Sequence, residues 1–260
     1  MDLATLLGIV IAIASLLVAN ILEGGHTSAL LKGSAALIVF GGTIGATMTC
    51  FGLDELKSIG SLFKIAFTSQ DYTPLKVIDI IVRFAEKARR EGLLALEADI
   101  AEIDDEFLQK GIQLIVDGTD PELVRDILET ELAYIEDRHH KAASIFEAAG
   151  GYAPTMGIIG TVMGLVHVLG NLSDPGNLGP AIATAFIATF YGVASANIIY
   201  LPIAAKLKNK SAREILVREL MMEGILSIQA GENPHIVKEK LKAFLSPNQR
   251  KEMGEGGSEG

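Results

Sequence analysis

The sequence predicts an all-α integral membrane protein in which four transmembrane helices accompany a helical cytoplasmic domain between spans 2 and 3. Three observations predict this fold class: four long apolar blocks, the grouping of Lys and Arg outside those blocks, and the lack of β-type alternation. The chain has 260 residues, of which 49% are hydrophobic, and its mean hydropathy is +0.37. In a soluble domain, the apolar residues would be spread along the sequence instead of being collected in blocks.

Each apolar block is long enough to cross a bilayer. A hydrocarbon core of ~30 Å requires ~20 helical residues at a rise of ~1.5 Å each. The blocks contain no Asp, Glu, Lys or Arg, and they comprise Leu3–Leu22, Gly33–Leu53, Ala148–Leu172 and Leu178–Ala205. We therefore expect transmembrane helices 1 and 2 within residues 1–53, and transmembrane helices 3 and 4 within residues 148–205.

The basic residues predict the orientation of the chain in the membrane. Of the 22 Lys and Arg residues, eleven lie between the second and third blocks and ten follow the fourth block, which leaves Lys32 alone. Cytoplasmic segments of membrane proteins carry the excess of Lys and Arg. Both termini and the central segment are therefore expected on the cytoplasmic side.

The central segment, residues 54–147, carries apolar residues at helical spacing and predicts a cytoplasmic helical domain. Gly92 interrupts this pattern, and Asp117–Gly118 ends it before a further helix that leads into the third block.

The segment after the fourth block begins with a basic cluster that includes Lys206 and Lys208, which we interpret as an anchor to anionic headgroups. Residues 206–245 are expected to form cytoplasmic C-terminal helices, the last of them capped at Asn233–Pro234. Residues 246–260 are rich in Gly, Glu, Ser and Lys, so we expect them to be disordered.

Composition and motifs exclude several classes of function. The sequence has no phosphate-binding loop, nucleophile elbow or metal-type Cys/His spacing, so we expect no catalytic residue, no metal site and no cofactor. A net charge of −10 without a basic stripe argues against nucleic acid as a partner. Cys50 is interpreted as a packing residue, and His167 as the donor or acceptor of an interhelical hydrogen bond.

The last two blocks carry small residues at helical spacing. Gly157, Gly160 and Gly164 share one stripe on the third block, and Ala181, Ala185, Ala188, Gly192 and Ala196 share one on the fourth. Stripes of this kind allow helices in lipid to approach closely.

The polar groups in these blocks are uncharged. Thr161 and Thr189 are predicted near mid-membrane at similar depth, with Thr155 ~9 Å nearer the cytoplasm. Pro154 removes a backbone donor and frees a carbonyl one turn back. Such oxygens can coordinate a desolvated cation or hold water beside a carboxylate, but threonines can equally bond to their own helix.

The charge inside the spans bears on whether these oxygens serve an ion path. Ion-coupled transport normally needs a titratable or fixed charge inside the membrane. The four blocks supply none apart from His167. Either the chain does not move ions, or a partner helix supplies the carboxylate.

Three features together resemble the MotA/PomA family of flagellar stator subunits. They are the stretch from Ala88 to Glu97, the run Tyr152-Ala153-Pro154-Thr155-Met156-Gly157, and the Pro202 that ends the fourth block. The resemblance extends over nearly the whole chain in span order and in the position of the cytoplasmic domain.

The resemblance implies a multi-pass protein of the bacterial inner membrane. Five such chains are expected to surround a dimer of a MotB-like single-span subunit, whose essential membrane aspartate accepts the transported H+ or Na+. Ion passage would rotate the ring and turn the flagellar rotor, so the chain would need no intramembrane acid of its own.

The resemblance also assigns roles to residues. Arg89 or Arg90, with Glu97, would contact a FliG-like rotor protein. Pro154 and Pro202 match prolines linked to torque generation, and Thr155 and Thr189 match positions that face the partner aspartate.

Threonine at position 161, together with Thr189, resembles the sodium-driven branch of the family. Ala188, however, stands where sodium-type relatives tend to carry another hydroxyl. We lean towards Na+ as a hypothesis.

Three other functions remain open at this point. An ExbB/TolQ-type energiser uses a similar ring, but such proteins generally have three spans and lack the charged Arg89–Glu97 segment. A substrate transporter would require internal repeats and an interior charge, neither of which is visible here. The third alternative is a structural membrane scaffold.

Overall fold

Helices form nearly all of the computed structural model, which describes residues 2–68, 73–170 and 175–255. These residues contain no strand. Four helical stretches are long and apolar enough to cross a membrane, namely Leu3–Leu22, Thr27–Met48, Pro121–Gly170 and Leu178–Gln229. The predicted all-α fold class with four spans is therefore confirmed. The predicted end of the third block, residues 171–172, and the final five residues of the predicted tail lie outside the described residues.

The chain forms two compact units, and the first, the membrane unit, comprises residues up to Ser69 and His139–Asn209. Its first span is α1 (Leu3–Leu22). The second span follows a 3₁₀ turn at Thr27–Leu30 and comprises α2 (Gly33–Ala36), a π-helical turn (Leu37–Gly41) and α3 (Gly42–Met48). Two short helices follow, α4 (Leu53–Lys57) and α5 (Ile59–Phe67).

The third span lies within α9 (Pro121–Gly170). The fourth span comprises α10 (Pro175–Ser195), a second π-helical turn (Ala196–Tyr200) and the start of α11 (Leu201–Gln229). Both α9 and α11 contribute residues to both units.

The second span ends earlier than the predicted boundary at Leu53. Its helix stops at Met48, and Leu53 instead opens α4. Gly52 is extended there, and its backbone N–H donates to Glu55 Oε2 at 2.8 Å. Hydropathy alone could not place this boundary, because the turn residues that separate the two helices are themselves uncharged.

Ion pairs join the ends of the spans in the membrane unit. Lys206 Nζ lies 2.5 Å from Asp2 Oδ2, and Lys208 Nζ lies 2.6 Å from Glu147 Oε1. Asp2 also accepts a hydrogen bond from the Thr5 backbone N–H and so caps α1. Two lysines of the basic cluster thus bind carboxylates of this protein, a role that the interpretation as a headgroup anchor did not include.

The second unit comprises Gln70–Arg138 and residues from Lys210 onward. It contains α6 (Pro74–Glu91), α7 (Glu97–Ile100), α8 (Glu106–Val116), α12 (Pro234–Leu241) and α13 (Pro247–Glu255), with parts of α9 and α11. Its core is mostly aliphatic, and its largest fully buried side chains are Phe84, Ile78, Ile81, Leu96, Leu108, Ile112, Ile115, Leu128, Leu220, Ile225 and Leu241. The predicted cap is present, since the Asn233 side chain accepts from the His235 backbone N–H.

The segment that was expected to be disordered contains a helix. Residues Pro247–Glu255 form α13, and Ser246 caps its start through Gln249. Arg250 donates hydrogen bonds to the carbonyl oxygens of Leu245 and Ala243. These contacts hold the turn against the end of the unit, which composition could not reveal.

The Asp2–Lys206 pair predicts a pH-dependent stability. Hydrogen bonding to Lys206 lowers the pKa of Asp2 from its ordinary value of 3.8 to about 2. The pKa of Asp2 is lower in the folded protein than in the unfolded chain. The contribution of the Asp2–Lys206 pair to the free energy of unfolding is therefore complete above the unfolded pKa and disappears as pH falls through the folded pKa. Asp2→Asn should therefore lower the thermal midpoint of the detergent-solubilised protein by a constant amount from neutral pH down to about 5, and the difference should shrink below about 4.

Asp54→Asn is the matched control, because the Asp54–Lys57 pair is highly exposed and lies within one helix. A midpoint difference for Asp2→Asn that persists unchanged at the lowest pH, or that equals the effect of Asp54→Asn, would contradict the assigned ion pair.

Candidate functional site

Two threonine hydroxyls meet between the third and fourth spans. The Oγ1 atoms of Thr161 and Thr189 lie 2.5 Å apart. Thr161 Oγ1 also lies 3.1 Å from the carbonyl oxygen of Gly157 and 3.0 Å from that of Ala185. Thr189 Oγ1 lies 3.5 Å from the same Gly157 oxygen. We call these two hydroxyl and two carbonyl oxygens the oxygen cluster.

The oxygen cluster has more acceptors than protons. Its two hydroxyls carry one proton each, whereas every one of its four oxygens has lone pairs, and a carbonyl can accept a second bond beyond that of its own helix. Oxygen atoms of this kind are the ligands that hard cations prefer. The cluster can therefore accept a desolvated cation or a proton donor such as water, and it carries no formal charge.

Glycines create the close approach that forms the cluster. A Cβ atom at Gly157 would lie 2.8 Å from the Ala188 carbonyl oxygen, and one at Gly160 would lie 2.6 Å from Ala188 Cβ. A Cβ atom at Gly164 would lie 2.6 Å from Ala185 Cβ. The small-residue stripes predicted from the sequence thus face each other, and only small residues fit there.

Pro154 lies three residues before Gly157 on the third span, and it packs against the fourth span. A Cβ atom at Gly192 would collide with the Ala153 carbonyl oxygen and would lie 3.1 Å from Pro154 Cα. One turn before Pro154, a Cβ atom at Gly150 would lie 2.5 Å from Leu201 Cδ2. The structure therefore places Pro154 at a backbone-to-backbone contact, in a turn that packs on Leu201.

Thr155 does not join the cluster. Its side chain is exposed and donates to the Tyr152 carbonyl oxygen of its own helix at 2.7 Å. Of the three threonines predicted for the ion path, the structure brings Thr161 and Thr189 together and leaves Thr155 on a free face of the third span.

Pro202 lies near the C-terminal end of the fourth span, two residues after the π-helical turn Ala196–Tyr200. Proline has no N–H and its ring crowds the carbonyl four residues earlier. The Leu201 N–H bonds to the Ala196 carbonyl, five residues back, which is the wider spacing of a π turn. Pro202 is 13 residues from Thr189, or ~20 Å along a helix, so it does not touch the cluster.

A cavity of about 470 Å³ adjoins the cluster among the second, third and fourth spans. Gly160, Ala185 and Ala188 line it together with Thr184 and His167. Among the residues that the structure describes, no carboxylate lines this cavity. Sequence reasoning missed Thr184, whose position one residue before Ala185 on the small-residue stripe could have indicated it.

The charged residues predicted for the rotor contact lie in the second unit. Arg89 and Arg90 are exposed in the last turn of α6. Basic side chains at this end of a helix interact favourably with the helix dipole. Gly92 ends this helix with φ of +87°, a conformation that suits glycine. Glu97 opens α7 and is also exposed.

The interruption predicted at Gly92 divides the charged residues between two helices. A 3₁₀ turn, Leu93–Leu96, separates the two arginines at the end of α6 from Glu97 at the start of α7. Leu96 is fully buried, and Lys87 Nζ lies 2.8 Å from Asp99 Oδ2. These two contacts hold the segment and leave its three charged side chains exposed.

The chain matches known families over most of its length. A profile of the MotA/TolQ/ExbB proton channel family matches residues 99–220, and a profile of the motility protein A N-terminal region matches residues 6–92. The chain is 41% identical to Motility protein A of Bacillus subtilis (strain 168) over 258 residues, which covers 99% of this chain and 96% of the relative. It is 40% identical to Chemotaxis protein PomA of Vibrio alginolyticus over 250 residues, which covers 96% and 98%.

The fold is similar to that of a chain in the flagellar MotAB stator complex from Bacillus subtilis. The TM-score is 0.90 at 40% identity, and the match covers 96% of this chain and 98% of that chain.

The glycine contacts generate a testable prediction. In Gly157→Ala the new Cβ would meet backbone atoms of the fourth span, so the spans must separate, at a cost of about 1–3 kcal/mol for an overpacked site. Gly151→Ala is the matched control on the same helix, because a Cβ atom there meets nothing within 4 Å. The measurement is the thermal midpoint of each purified protein in detergent.

The expected order places Gly157→Ala below the wild type and Gly151→Ala at or slightly above it, since alanine favours a helix over glycine. Equal midpoints for the two variants would show that the spans do not approach as closely as described.

Proposed function

Because the chain belongs to the MotA/TolQ/ExbB proton channel family, in its motility protein A group, we propose that it is a stator subunit of the bacterial flagellar motor. With a MotB-like partner it forms an ion channel that couples cation flow to torque on the rotor. This is a transport and motor function, not an enzymatic one, and it agrees with the function that the sequence predicts.

The oxygen cluster is the observation that carries the channel function. The four apolar blocks contain no Asp, Glu, Lys or Arg, yet Thr161 and Thr189 gather four oxygens between two of them. A neutral oxygen site can receive a cation but cannot drive its uptake and release by titration. We infer that the titrating carboxylate belongs to the single-span MotB-like subunit.

The family supports the proposed assembly of the protein, and the distribution of Lys and Arg supports its proposed orientation in the membrane. Several copies of the chain surround the partner helices, and a ring of five around two is the arrangement that the family implies. The inner membrane of a bacterium holds the ring, and the distribution of Lys and Arg supports cytoplasmic N- and C-termini.

The transported ion is H+ or Na+, and we favour Na+. Two hydroxyls and two carbonyls supply four of the oxygen ligands that a dehydrated cation needs. A proton relay would require fewer oxygen atoms. Ala188 adds no hydroxyl, so water or the partner would complete the shell. Pro154, Thr155, Thr161 and Thr189 are the ion-path residues of this proposal, with Pro154 and Pro202 coupling ion passage to torque.

The rotor contact is assigned to the exposed charges of the second unit. Arg89, Arg90 and Glu97 project from a segment that is fixed by Leu96 and by the Lys87–Asp99 pair. We propose that they engage oppositely charged groups of a FliG-like rotor protein, and that either arginine can make the principal contact.

A substitution at Thr189 tests the channel function. Thr189→Ala removes one hydroxyl of the cluster, so we expect swimming to be lost while the protein still reaches the membrane and assembles with its partner. Thr189→Ser, which keeps the hydroxyl, should retain swimming. Thr49→Ala is the control, because among the described residues the Thr49 hydroxyl contacts only the end of its own span, at the Ala46 carbonyl oxygen and the neighbouring Cys50 sulfur.

The wild-type strain and the Thr189→Ser strain test the choice of ion. Swimming speed should rise with sodium concentration and should persist in a protonophore when sodium is present. Swimming that continues without sodium and collapses with the protonophore would reject Na+ in favour of H+. Unchanged swimming of Thr189→Ala would instead support the scaffold alternative.

Charge reversal tests the rotor contact. Arg89→Glu and Arg90→Glu place like charges against the rotor surface, so each should reduce swimming, and the double variant should reduce it most. Arg125→Glu is the control, because this half-exposed side chain makes no ion pair within the described part of the chain other than a 3.8 Å pair with Glu129.

Assembly of the stator, measured by co-purification of the partner, should be unaffected in all three variants. A reversed charge on the rotor protein should restore swimming to the arginine variants. Normal swimming of the double variant, or failure of every such reversal to restore swimming, would contradict the proposed contact.

A further inference from the structure

Tyr191 makes a long-range contact that the ion path described above does not include. Its hydroxyl donates to the Leu30 carbonyl oxygen at 2.5 Å and accepts from the Lys32 backbone N–H at 3.1 Å. The partners lie 161 and 159 positions earlier in the sequence. One phenol on the fourth span thus holds the chain at the start of the second span.

The two backbone groups need such a partner because the chain is irregular there. Leu30 ends the 3₁₀ turn, and Lys32 precedes the first helical residue of the second span, without a side-chain cap. Where water is scarce, backbone groups outside a helix must find partners within the protein. Tyr191 satisfies one acceptor and one donor at once.

The ring of Tyr191 is fixed as well as its hydroxyl. It stacks on Phe40 of the second span with a centroid distance of 5.9 Å and an interplanar angle of 28°. It also packs against a cluster of buried residues that contains Val39 from the second span and Ala188 from the fourth. Hydrogen bonds and packing together define its position.

Tyr191 and Thr189 point to opposite sides of the fourth span. Two residues along an α-helix correspond to a rotation of ~200°. Thr189 contacts the third span through Thr161, whereas Tyr191 contacts the second span and the turn before it. The fourth span is therefore held from two sides, and its rotation about its own axis determines whether Thr189 meets Thr161.

We propose that Tyr191 is a positioning residue for the oxygen cluster. By attaching the fourth span to the start of the second, it fixes the rotation at which the hydroxyls of Thr161 and Thr189 come together. The consequence for cation flow rests on the proposed function of the cluster, whereas the positioning itself does not.

Tyr191→Phe removes the hydroxyl and retains the ring, and Tyr200→Phe is the matched control on the same span. Tyr200 is half-buried, and among the described residues the structure gives its hydroxyl no hydrogen-bond partner. Phe40→Leu is a second test variant, because it removes the stacking partner of Tyr191 and leaves both hydrogen bonds in place.

The geometric measurement is disulfide formation between cysteines placed at 161 and 189. Cys50, the single native cysteine, is first replaced by Ser, and the Thr161→Cys and Thr189→Cys substitutions are then combined with each test variant. Oxidation of membranes from cells that carry the complete stator is followed by titration of the remaining free thiols. We expect oxidation in the Tyr191→Phe background to be at least about fivefold slower, because the substitution removes two hydrogen bonds and the loss of one alone corresponds to about that factor.

Phe40→Leu should slow oxidation in the same direction, and Tyr200→Phe should leave it unchanged. Equal rates in the Tyr191→Phe, Phe40→Leu and Tyr200→Phe backgrounds would overturn the positioning role.

The functional measurement uses the same variants with Thr161 and Thr189 intact. Tyr191→Phe should shift the sodium concentration that gives half-maximal swimming speed, with the amount of stator in the membrane unchanged. Slower oxidation accompanied by this shift supports the proposal. Slower oxidation without any change in the cation dependence would leave the positioning role standing and would reject the cluster as part of the ion path.

Discussion

The third and fourth spans approach until the backbone of one touches the backbone of the other at Gly157 and Gly192. Lipid gives apolar helices little hydrophobic reason to associate, so van der Waals packing and polar contacts must hold them together. Glycine permits both kinds of contact. Because it has no Cβ atom, the helices pack closely and the carbonyl oxygens of one span are exposed to the other. The oxygen cluster follows from this approach, since Thr161 reaches a carbonyl on the opposite helix.

Contacts at the ends of the spans complete the membrane unit. The first span has no buried residue, so packing along its length contributes little. Its start is held instead by Asp2, whose carboxylate pairs with Lys206 and whose backbone N–H bonds to the Phe67 carbonyl at 2.8 Å. Tyr191 performs the corresponding role near the start of the second span. Polar groups therefore join the spans where charge is tolerated, and small neutral residues join them in the interior.

This division suits the proposed channel, whose titrating group we assign to the partner. A carboxylate inside these spans would be costly to bury, and under that proposal it would compete with the partner's carboxylate for the ion. Neutral oxygens lower the cost of dehydrating a cation without holding it permanently. The second unit differs from the membrane unit. Its apolar core holds a charged, exposed segment in place at the break after α6.

Local patterns in the sequence predicted the features that depend on composition and short-range chemistry. The spans follow from apolar length, the end of α6 from the conformational freedom of Gly92, and the start of α12 from the Asn233 cap. Ion-path residues were predicted only as a group, because residue counting gives depth in the membrane but does not give rotation about a helix axis. Depth placed Thr161 level with Thr189 and Thr155 ~9 Å nearer the cytoplasm, but only the structure shows that Thr161 meets Thr189 and that Thr155 bonds to its own helix.

Tertiary structure decided everything that joins residues distant in the chain. The pairing of Lys206 with Asp2 and the attachment of Tyr191 to Leu30 link positions more than 150 residues apart, and no local pattern marks them. The helix α13 differs, because in a segment of disordered composition it is held by short-range hydrogen bonds to the preceding turn. The sequence by itself determined that the chain crosses a membrane four times without carrying charge, because hydrophobic transfer depends on composition and length. The meeting of two hydroxyls at one point required the rotation and separation of whole helices, which only their packing establishes.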